Sequence, residues 1–154
     1  MATYETSKSR VSGISAGAGW HRQTVTDTVI IAITTAMIDN ANDDVGLLYV
    51  PAGAVIVDAT LSGTDMDTGT AALLWDIGDA SDEDRIIAAS TVGQAGSTAS
   101  SALTYAGHLY KYAARTQIRA YVNTAAATAA AGTLKFSITY FVDPEFSTTA
   151  LVAA

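Results

Sequence analysis

The chain contains no cysteine, and this absence removes several kinds of chemistry at once. None of its 154 residues can form a disulfide, act as a thiol nucleophile or offer a thiolate to a metal. The two histidines, His21 and His108, lack the ligand spacing of a zinc site. We therefore expect no metal site and no cofactor.

Charged and aromatic residues are also scarce, at 15% and 8% of the chain. An ordinary soluble domain carries about 25% charged residues. A surface rich in Thr, Ser, Ala and Gly is easier to explain if neighbouring subunits cover much of it. The net charge of −7 argues against a broad basic surface for nucleic acid. We expect protein partners and no nucleic acid.

Long apolar runs are missing as well. No stretch approaches the roughly 18 residues that span a bilayer. The segment Met1-Ala2-Thr3-Tyr4-Glu5 lacks the basic and then apolar pattern of a secretory leader. We expect no membrane association, and the length of the chain fits a single domain.

The residues that are present alternate with a period of two, which is the signature of strands with one face in a core. Further strands are expected near 45–50, 85–91 and 103–112, and Gly- and Asp-rich turns separate the runs. The pattern predicts an all-β fold: a single antiparallel β-sandwich or jelly-roll domain of about eight strands with an extended N-terminal arm. The alternating sets expected to share a face are Val25, Val29, Ile31 and Ile33; Val55, Val57, Ala59 and Leu61; Leu73, Trp75 and Ile77; Ile118, Ala120 and Val122; and Leu134, Phe136, Ile138, Tyr140 and Val142.

One alanine-rich segment, 125–132, interrupts this pattern. Alanine favours a helix, but eight residues between two strands are too few to hold one unaided. We interpret the segment as a hairpin loop of small residues.

The pattern divides the chain into an arm at 1–23, in which glycines interrupt any period, a β-sandwich domain at 24–146 and a C-terminal tail at 147–154. The arm is locally basic, whereas eleven of the fifteen acidic residues lie between Asp39 and Asp84. A basic arm on an acidic body can reach across to an acidic neighbour, including a second copy of the chain. A disordered terminus is the alternative.

The candidate catalytic and metal-binding motifs lack the structural context that their chemistry requires. The run Gly13-Ile14-Ser15-Ala16-Gly17 matches a nucleophile elbow in form, but no strand precedes it and no helix follows it. A hydrolase that uses Ser15 or a pair of carboxylates is our third hypothesis. The acidic loops at 65–69 and 76–84 lack EF-hand spacing, so we favour solvated turns, with Arg85 paired to one acid, over a bound cation.

Tyrosines cluster in one short segment, where Tyr105, Tyr110 and Tyr112 surround His108. Tyrosine is favoured at protein interfaces, where one end of the side chain is apolar and the other wet. Ordinary strand packing is the alternative.

Several segments together resemble a known family. The resemblance covers about residues 45–143, about two-thirds of the chain. These segments are similar to small virion structural proteins of tailed bacteriophages, of the capsid decoration or cement type. They are Val50-Pro51-Ala52-Gly53-Ala54-Val55-Ile56-Val57, Ser62-Gly63-Thr64-Asp65-Met66-Asp67-Thr68-Gly69, Trp75-Asp76-Ile77-Gly78-Asp79, Asp84-Arg85-Ile86-Ile87, Ala131-Gly132-Thr133-Leu134-Lys135-Phe136 and Tyr140-Phe141-Val142-Asp143.

The resemblance implies a non-enzymatic β-sandwich or jelly-roll protein on the outer surface of the icosahedral head. Such proteins commonly form homotrimers that clamp neighbouring major capsid subunits. A receptor- or glycan-binding module of a head fibre or tail is the alternative, and it needs aromatics and carboxylates clustered on one loop face. The residues we predict to contact the capsid partner are Lys8, Arg10, Trp20, Arg22, Tyr105, His108, Tyr110 and Tyr112.

Overall fold

A computed structural model describes residues 24–95, 104 and 106–143 of the chain. One short 3-10 helix, Thr35–Met37, follows the first strand. None of the helical structure in these ranges has the length and apolar character that crossing a membrane requires. The strands are β1 (Thr24–Ile33), β2 (Asp44–Val50), β3 (Ala54–Gly63), β4 (Leu74–Asp79), β5 (Asp82–Ser90), β6 (Thr116–Thr124) and β7 (Gly132–Val142).

The strands form two antiparallel sheets, one in the order β1-β7-β3 and one in the order β2-β6-β4-β5. This arrangement confirms the predicted all-β sandwich, with seven strands in the described ranges instead of about eight. Where a strand was expected near 103–112, the described residues 106–112 form a turn followed by an isolated bridge at Lys111. The left-handed Leu109 interrupts the extended backbone there, so the described residues of this segment form no regular strand.

The core lies between the two sheets and is built from the alternating apolar positions. Trp75, Tyr140 and Phe136 are the largest fully buried side chains. The pattern of β7 is confirmed from Leu134 to Tyr140, whereas Val142 at the end of the strand is 39% exposed. The predicted faces of β1, β4 and β6 are confirmed in the same way, with their apolar positions turned to the core.

In β3 the prediction is wrong over the first half of the strand. The register against β7 shifts between Ile56 and Asp58, which is the signature of a β-bulge. A bulge inserts one extra residue and reverses the side to which the preceding residues point. The face shared with the β7 core residues is therefore formed by Ala54, Ile56, Ala59 and Leu61.

The alanine-rich segment is a loop, as predicted, but it does not close a hairpin. It joins β6 of the four-stranded sheet to β7 of the three-stranded sheet, so it crosses from one layer of the sandwich to the other. The chain makes this crossing because β7 fills the central place between β1 and β3.

The outer face of the three-stranded sheet carries rows of hydroxyl groups. Thr26 Oγ1 lies 2.8 Å from Thr139 Oγ1, and the same distance separates Thr28 Oγ1 from Ser137 Oγ. Thr26 and Thr139 are 113 positions apart in the sequence. The sheet is thus held together by contacts between distant parts of the chain.

Candidate functional site

The predicted contact residues at 108–112 follow a tight turn that is fixed to strand β5. The Thr104 amide donates to the Ile86 carbonyl at 2.8 Å, and the Thr104 hydroxyl donates to the Arg85 carbonyl. The amides of Gly107 and His108 both donate to the Thr104 carbonyl, at 3.1 and 3.0 Å. Any Cβ at Gly107 would overlap the Arg85 carbonyl, so only glycine lets the turn lie this close to β5.

The turn ends in an exposed apolar side chain. Leu109 has a φ of 59°, a left-handed conformation that a leucine adopts only when its surroundings hold it there. Its amide donates to the Ile56 carbonyl at 2.8 Å, which fixes it to the edge of β3. The Leu109 side chain is nevertheless 56% exposed, and His108 beside it is exposed as well. The backbone therefore holds an apolar group toward solvent.

After Leu109, the chain runs along the edge of β3. Ile56 N donates to the Tyr110 carbonyl at 3.0 Å, and Tyr112 N donates to the Ala54 carbonyl at 2.9 Å. Gly53 N donates to the Tyr112 carbonyl at 2.7 Å. These bonds give Tyr110 and Tyr112 fixed positions at the rim of the sandwich.

The two tyrosines and Arg85 form a stacked group. The Tyr110 and Tyr112 rings meet edge to face, with centroids 4.9 Å apart and an interplanar angle of 75°. The Arg85 guanidinium lies 4.0 Å from the centre of the Tyr110 ring, a distance suited to cation–π attraction. Tyr112 is buried, with 3% exposure, so it can act on a partner only by supporting Tyr110.

Arg85 is held in this position by two acidic side chains. Its Nε lies 2.7 Å from Asp79 Oδ2, and its NH1 lies 3.4 Å from Asp82 Oδ2. Burial alone would lower the pKa of Arg85, but the hydrogen bond and the charge of Asp79 outweigh it and raise the pKa. Burial would raise the pKa of Asp79, and hydrogen bonds from Ser81 and Arg85 lower it instead. Arg85 therefore stays charged and oriented under the Tyr110 ring.

The hydroxyl of Tyr112 has no hydrogen-bond partner among the described residues. Burial, and then the negative charge of Asp79, raises the pKa of this phenol far above its usual range. It remains protonated at any ordinary pH, so it adds no charge to the cluster.

Of the eight predicted contact residues, the structure describes three and five lie outside the described ranges. His108, Tyr110 and Tyr112 come together in one segment, and whether they touch a partner stays a prediction. The pairing of Arg85 with an acid is confirmed, whereas its stacking on Tyr110 and the exposure of Leu109 were not predicted. The residues that lie outside the described ranges are Lys8, Arg10, Trp20, Arg22 and Tyr105.

A second exposed aromatic lies on β2, at the opposite edge of the four-stranded sheet from β5. Tyr49 on β2 is 48% exposed, and the Arg115 guanidinium lies 4.1 Å from the centre of its ring. Like Tyr110, Tyr49 is stacked with an arginine, but no second ring supports it among the described aromatic pairs.

The acidic loop at 65–69 contains a buried carboxylate with a structural task. Asp67 is 1% exposed and accepts backbone N–H bonds from Ala72 at 2.7 Å, Leu73 at 3.0 Å, Ala127 at 3.1 Å and Thr128 at 2.9 Å. The expectation of a solvated turn is wrong here. The loop folds inward, and Asp67 binds the two connections that pass between the sheets, β3 to β4 and β6 to β7. Within the described ranges, no group of three or more potential ligand side chains is placed to hold a metal ion.

Comparison with solved structures finds phage capsids. A chain of the cyanophage Pam1 capsid asymmetric unit superposes with a TM-score of 0.70 and 30% identity, covering 82% of this chain and 90% of that one. A chain of the Ralstonia phage GP4 capsid gives 0.64 and 27%, covering 79% and 85%. A chain from the capsid of the Helicobacter pylori bacteriophage KHP30 gives 0.53 and 15%, covering 78% and 92%, and shows the fold alone.

No protein-family model and no curated protein matches the sequence. The family is shown by the structures, because a chain 30% identical to this one is covered over 90% of its length. The seven-stranded sandwich and this identity together establish that the chain belongs to the structural proteins of bacteriophage capsids.

Proposed function

We propose that this chain is a non-enzymatic decoration, or cement, protein. It binds the outside of the icosahedral head and stabilises contacts between major capsid subunits. Its similarity to chains of two phage capsids and its low content of charged residues, 15% of the chain, support this role. In this proposal the protein acts as a homotrimer, so a modest interface per copy still gives firm attachment when several copies bind at once.

The observation that carries the proposal is the way Leu109 is presented. A large apolar side chain, 56% exposed, stands on a turn that is hydrogen-bonded to both β5 and β3. Tyr110, stacked on Arg85, lies beside it. Tyrosine and arginine next to an apolar centre are the composition of interface hot spots, and a rigid backbone lowers the entropy lost on binding. We propose that His108, Leu109 and Tyr110 seat against the major capsid protein.

The arm extends this contact. Lys8, Arg10, Trp20 and Arg22, together with Tyr105, supply basic and aromatic side chains that suit a second attachment point on an acidic neighbouring surface. The arm would then reach along the shell while the 108–112 segment fixes the position of the domain.

Substitution of Leu109 by Asp tests the proposal. Heads that lack this protein are mixed with the purified full-length chain and sedimented. We expect Leu109→Asp to bind at least tenfold more weakly than the wild type, a loss of about 1.4 kcal/mol, because a charge replaces the apolar centre of the contact. Tyr49→Asp is the matched control, since Tyr49 is similarly exposed but lies on β2, at the opposite edge of the four-stranded sheet from β5.

Two further results bear on the proposal. Light scattering should give three times the 15.8 kDa mass of one chain. Equal binding of Leu109→Asp and the wild type would remove the 108–112 segment from the contact. Wild-type protein that does not sediment with heads but binds to a glycan array would favour the receptor-binding alternative.

A further inference from the structure

The four sheet edges of the described structure are protected to different degrees. The edge of β3 is occupied over its first residues by the 110–112 segment, and the strand contains the bulge near Val57. β2 has an irregularity between Gly46 and Leu48, and β5 pairs with β4 in a broken register. Bulges, covering segments and inward-pointing charges are among the devices by which proteins keep an edge from pairing with another chain.

Within the described ranges, β1 has neither a bulge nor a covering segment. It pairs with β7 through ten consecutive residues, from Thr24 opposite Phe141 to Ile33 opposite Gly132, without a shift of register. Its sequence, TVTDTVIIAI, contains no proline, lysine or arginine. Its one charged residue, Asp27, accepts a hydrogen bond from the Tyr140 hydroxyl at 2.8 Å. Among the described residues, its backbone bonds in a ladder only with β7, so a full row of N–H and C=O groups remains unpaired.

The side chains of β1 are also incompletely covered. Val25, Val29 and Ile31 point toward the core and pack on it, yet they remain only half-buried. Ile30 on the opposite face is 65% exposed. A further strand beside β1 would cover apolar groups on both faces of the sheet.

We infer that β1 is the edge through which two copies of this chain pair, antiparallel and about a two-fold axis. An added strand must offer apolar residues on one face and small uncharged residues on the other, because β1 places no charge on its outer face. β1 itself has this pattern, so two copies are complementary to each other. A strand with charged residues would find no opposite charge there.

Charge also limits the register of this pairing. A two-fold axis at Asp27 would place two carboxylates opposite each other, which is destabilising. An axis at Thr28 places Val25 of one copy opposite Ile31 of the other and Asp27 opposite Val29. The two Thr28 hydroxyls then meet as Thr26 and Thr139 already do within one chain. The result is a continuous six-stranded sheet, and on a shell it joins neighbouring oligomers.

A single cysteine tests this register, because the natural chain has none. Cα atoms of directly opposed cross-strand residues lie about 4.5–5.5 Å apart, within the range a disulfide can bridge. We expect full-length Thr28→Cys to form a disulfide-linked dimer under mild oxidation, at least tenfold more than Ala88→Cys, an exposed position on β5. The dimer appears on a denaturing gel whatever larger oligomer the protein forms.

A second variant protects the test from a folding defect. Ile30→Lys places a positive charge on the edge strand and leaves the buried face unchanged. Combined with Thr28→Cys, it should abolish the cross-link, because a charged edge strand resists pairing with another chain. Thr28→Cys that cross-links no more than Ala88→Cys, or a cross-link that survives Ile30→Lys, would overturn the inference. No heads are needed, so a failure here is independent of capsid binding.

Discussion

Asp67 shows how one side chain can join two parts of the sandwich. Its carboxylate receives backbone N–H groups from the loop after β3 and from the alanine-rich crossing between β6 and β7. Burial alone would raise its pKa, but the hydrogen bonds from Ala72, Thr128, Leu73 and Ala127 outweigh burial and lower the pKa from 3.8 to about 2. The charged form is therefore strongly preferred in the folded protein.

The first prediction concerns the replacement of Asp67 by Asn. The amide keeps the shape but turns one acceptor into a donor that faces backbone N–H groups, so we expect the free energy of unfolding at pH 7 to fall by about 2 kcal/mol. Because the folded pKa of Asp67 lies below its unfolded value, its stabilisation is full above about pH 4 and is lost as the pH falls through 2.

Urea unfolding at pH 7 and pH 2.5 measures both effects. The difference in the free energy of unfolding between wild type and Asp67→Asn should be smaller at pH 2.5 than at pH 7. Asp65→Asn is the control, since Asp65 is exposed and accepts only the 3.2 Å bond from Asp67 N among the described contacts. A difference in the free energy of unfolding that does not change with pH would show that the charge of Asp67 is not the source of the stabilisation.

At the scale of elements, alternation predicted the strands well wherever both the core and the register were regular. β7 and β6 follow the period of two along almost their whole length. β3 does not, because the bulge near Val57 depends on its pairing with β7 and leaves no mark in the local sequence. The same limit explains the alanine-rich crossing, whose partner strands are decided by the whole sheet order.

The candidate site was predictable only in part for a related reason. The cluster of Tyr105, Tyr110 and Tyr112 around His108 predicted that this segment is a contact surface. The exposure of Leu109 could not be predicted, because it follows from backbone bonds to Ile56 and from the close approach of Gly107 to β5. A leucine between aromatic residues otherwise indicates a core position.

The turn supplies the second prediction. Gly107→Ala forces a methyl group into the Arg85 carbonyl, so the turn must move away from β5. We expect a loss of about 2 kcal/mol in the free energy of unfolding and weaker binding to heads. Thermal unfolding and sedimentation with heads measure the two effects, with Ala106→Ser, at the exposed neighbouring position, as the control. Normal stability of Gly107→Ala would mean that the turn does not need its close contact with β5.

At the scale of the molecule, the described sandwich is one layered body, and the division into an arm at 1–23, a domain at 24–146 and a tail at 147–154 stays a prediction. The chain carries a net charge of −7, whereas the arm holds Lys8, Arg10 and Arg22 against Glu5 alone. Opposite charges on the arm and the body favour contacts between copies, or with another acidic surface, and these contacts weaken with salt.

Deletion of residues 2–20 is the corresponding test. We expect the truncated chain to keep its thermal unfolding midpoint within a few degrees, since the buried core cluster is built from residues between Ile33 and Tyr140, but to bind heads at least tenfold more weakly. Lys8→Ala combined with Arg10→Ala should reproduce part of the loss, and 0.5 M salt should reduce the difference from wild type. Unchanged occupancy of heads after the deletion would exclude the arm from attachment.

The position of β7 has a consequence for the synthesis of the protein. The middle strand of the three-stranded sheet is the last of the described strands, and its partners on β1 lie up to 113 positions earlier in the hydrogen-bonded threonine rows. Half of the sandwich therefore cannot form on the ribosome before nearly the whole domain has emerged. This sheet can form only after β7 has emerged, and closing the long loop between β1 and β7 slows its folding. Slow translation would lengthen the time during which β1 has no partner at all, and misassembly of nascent chains should increase with that time.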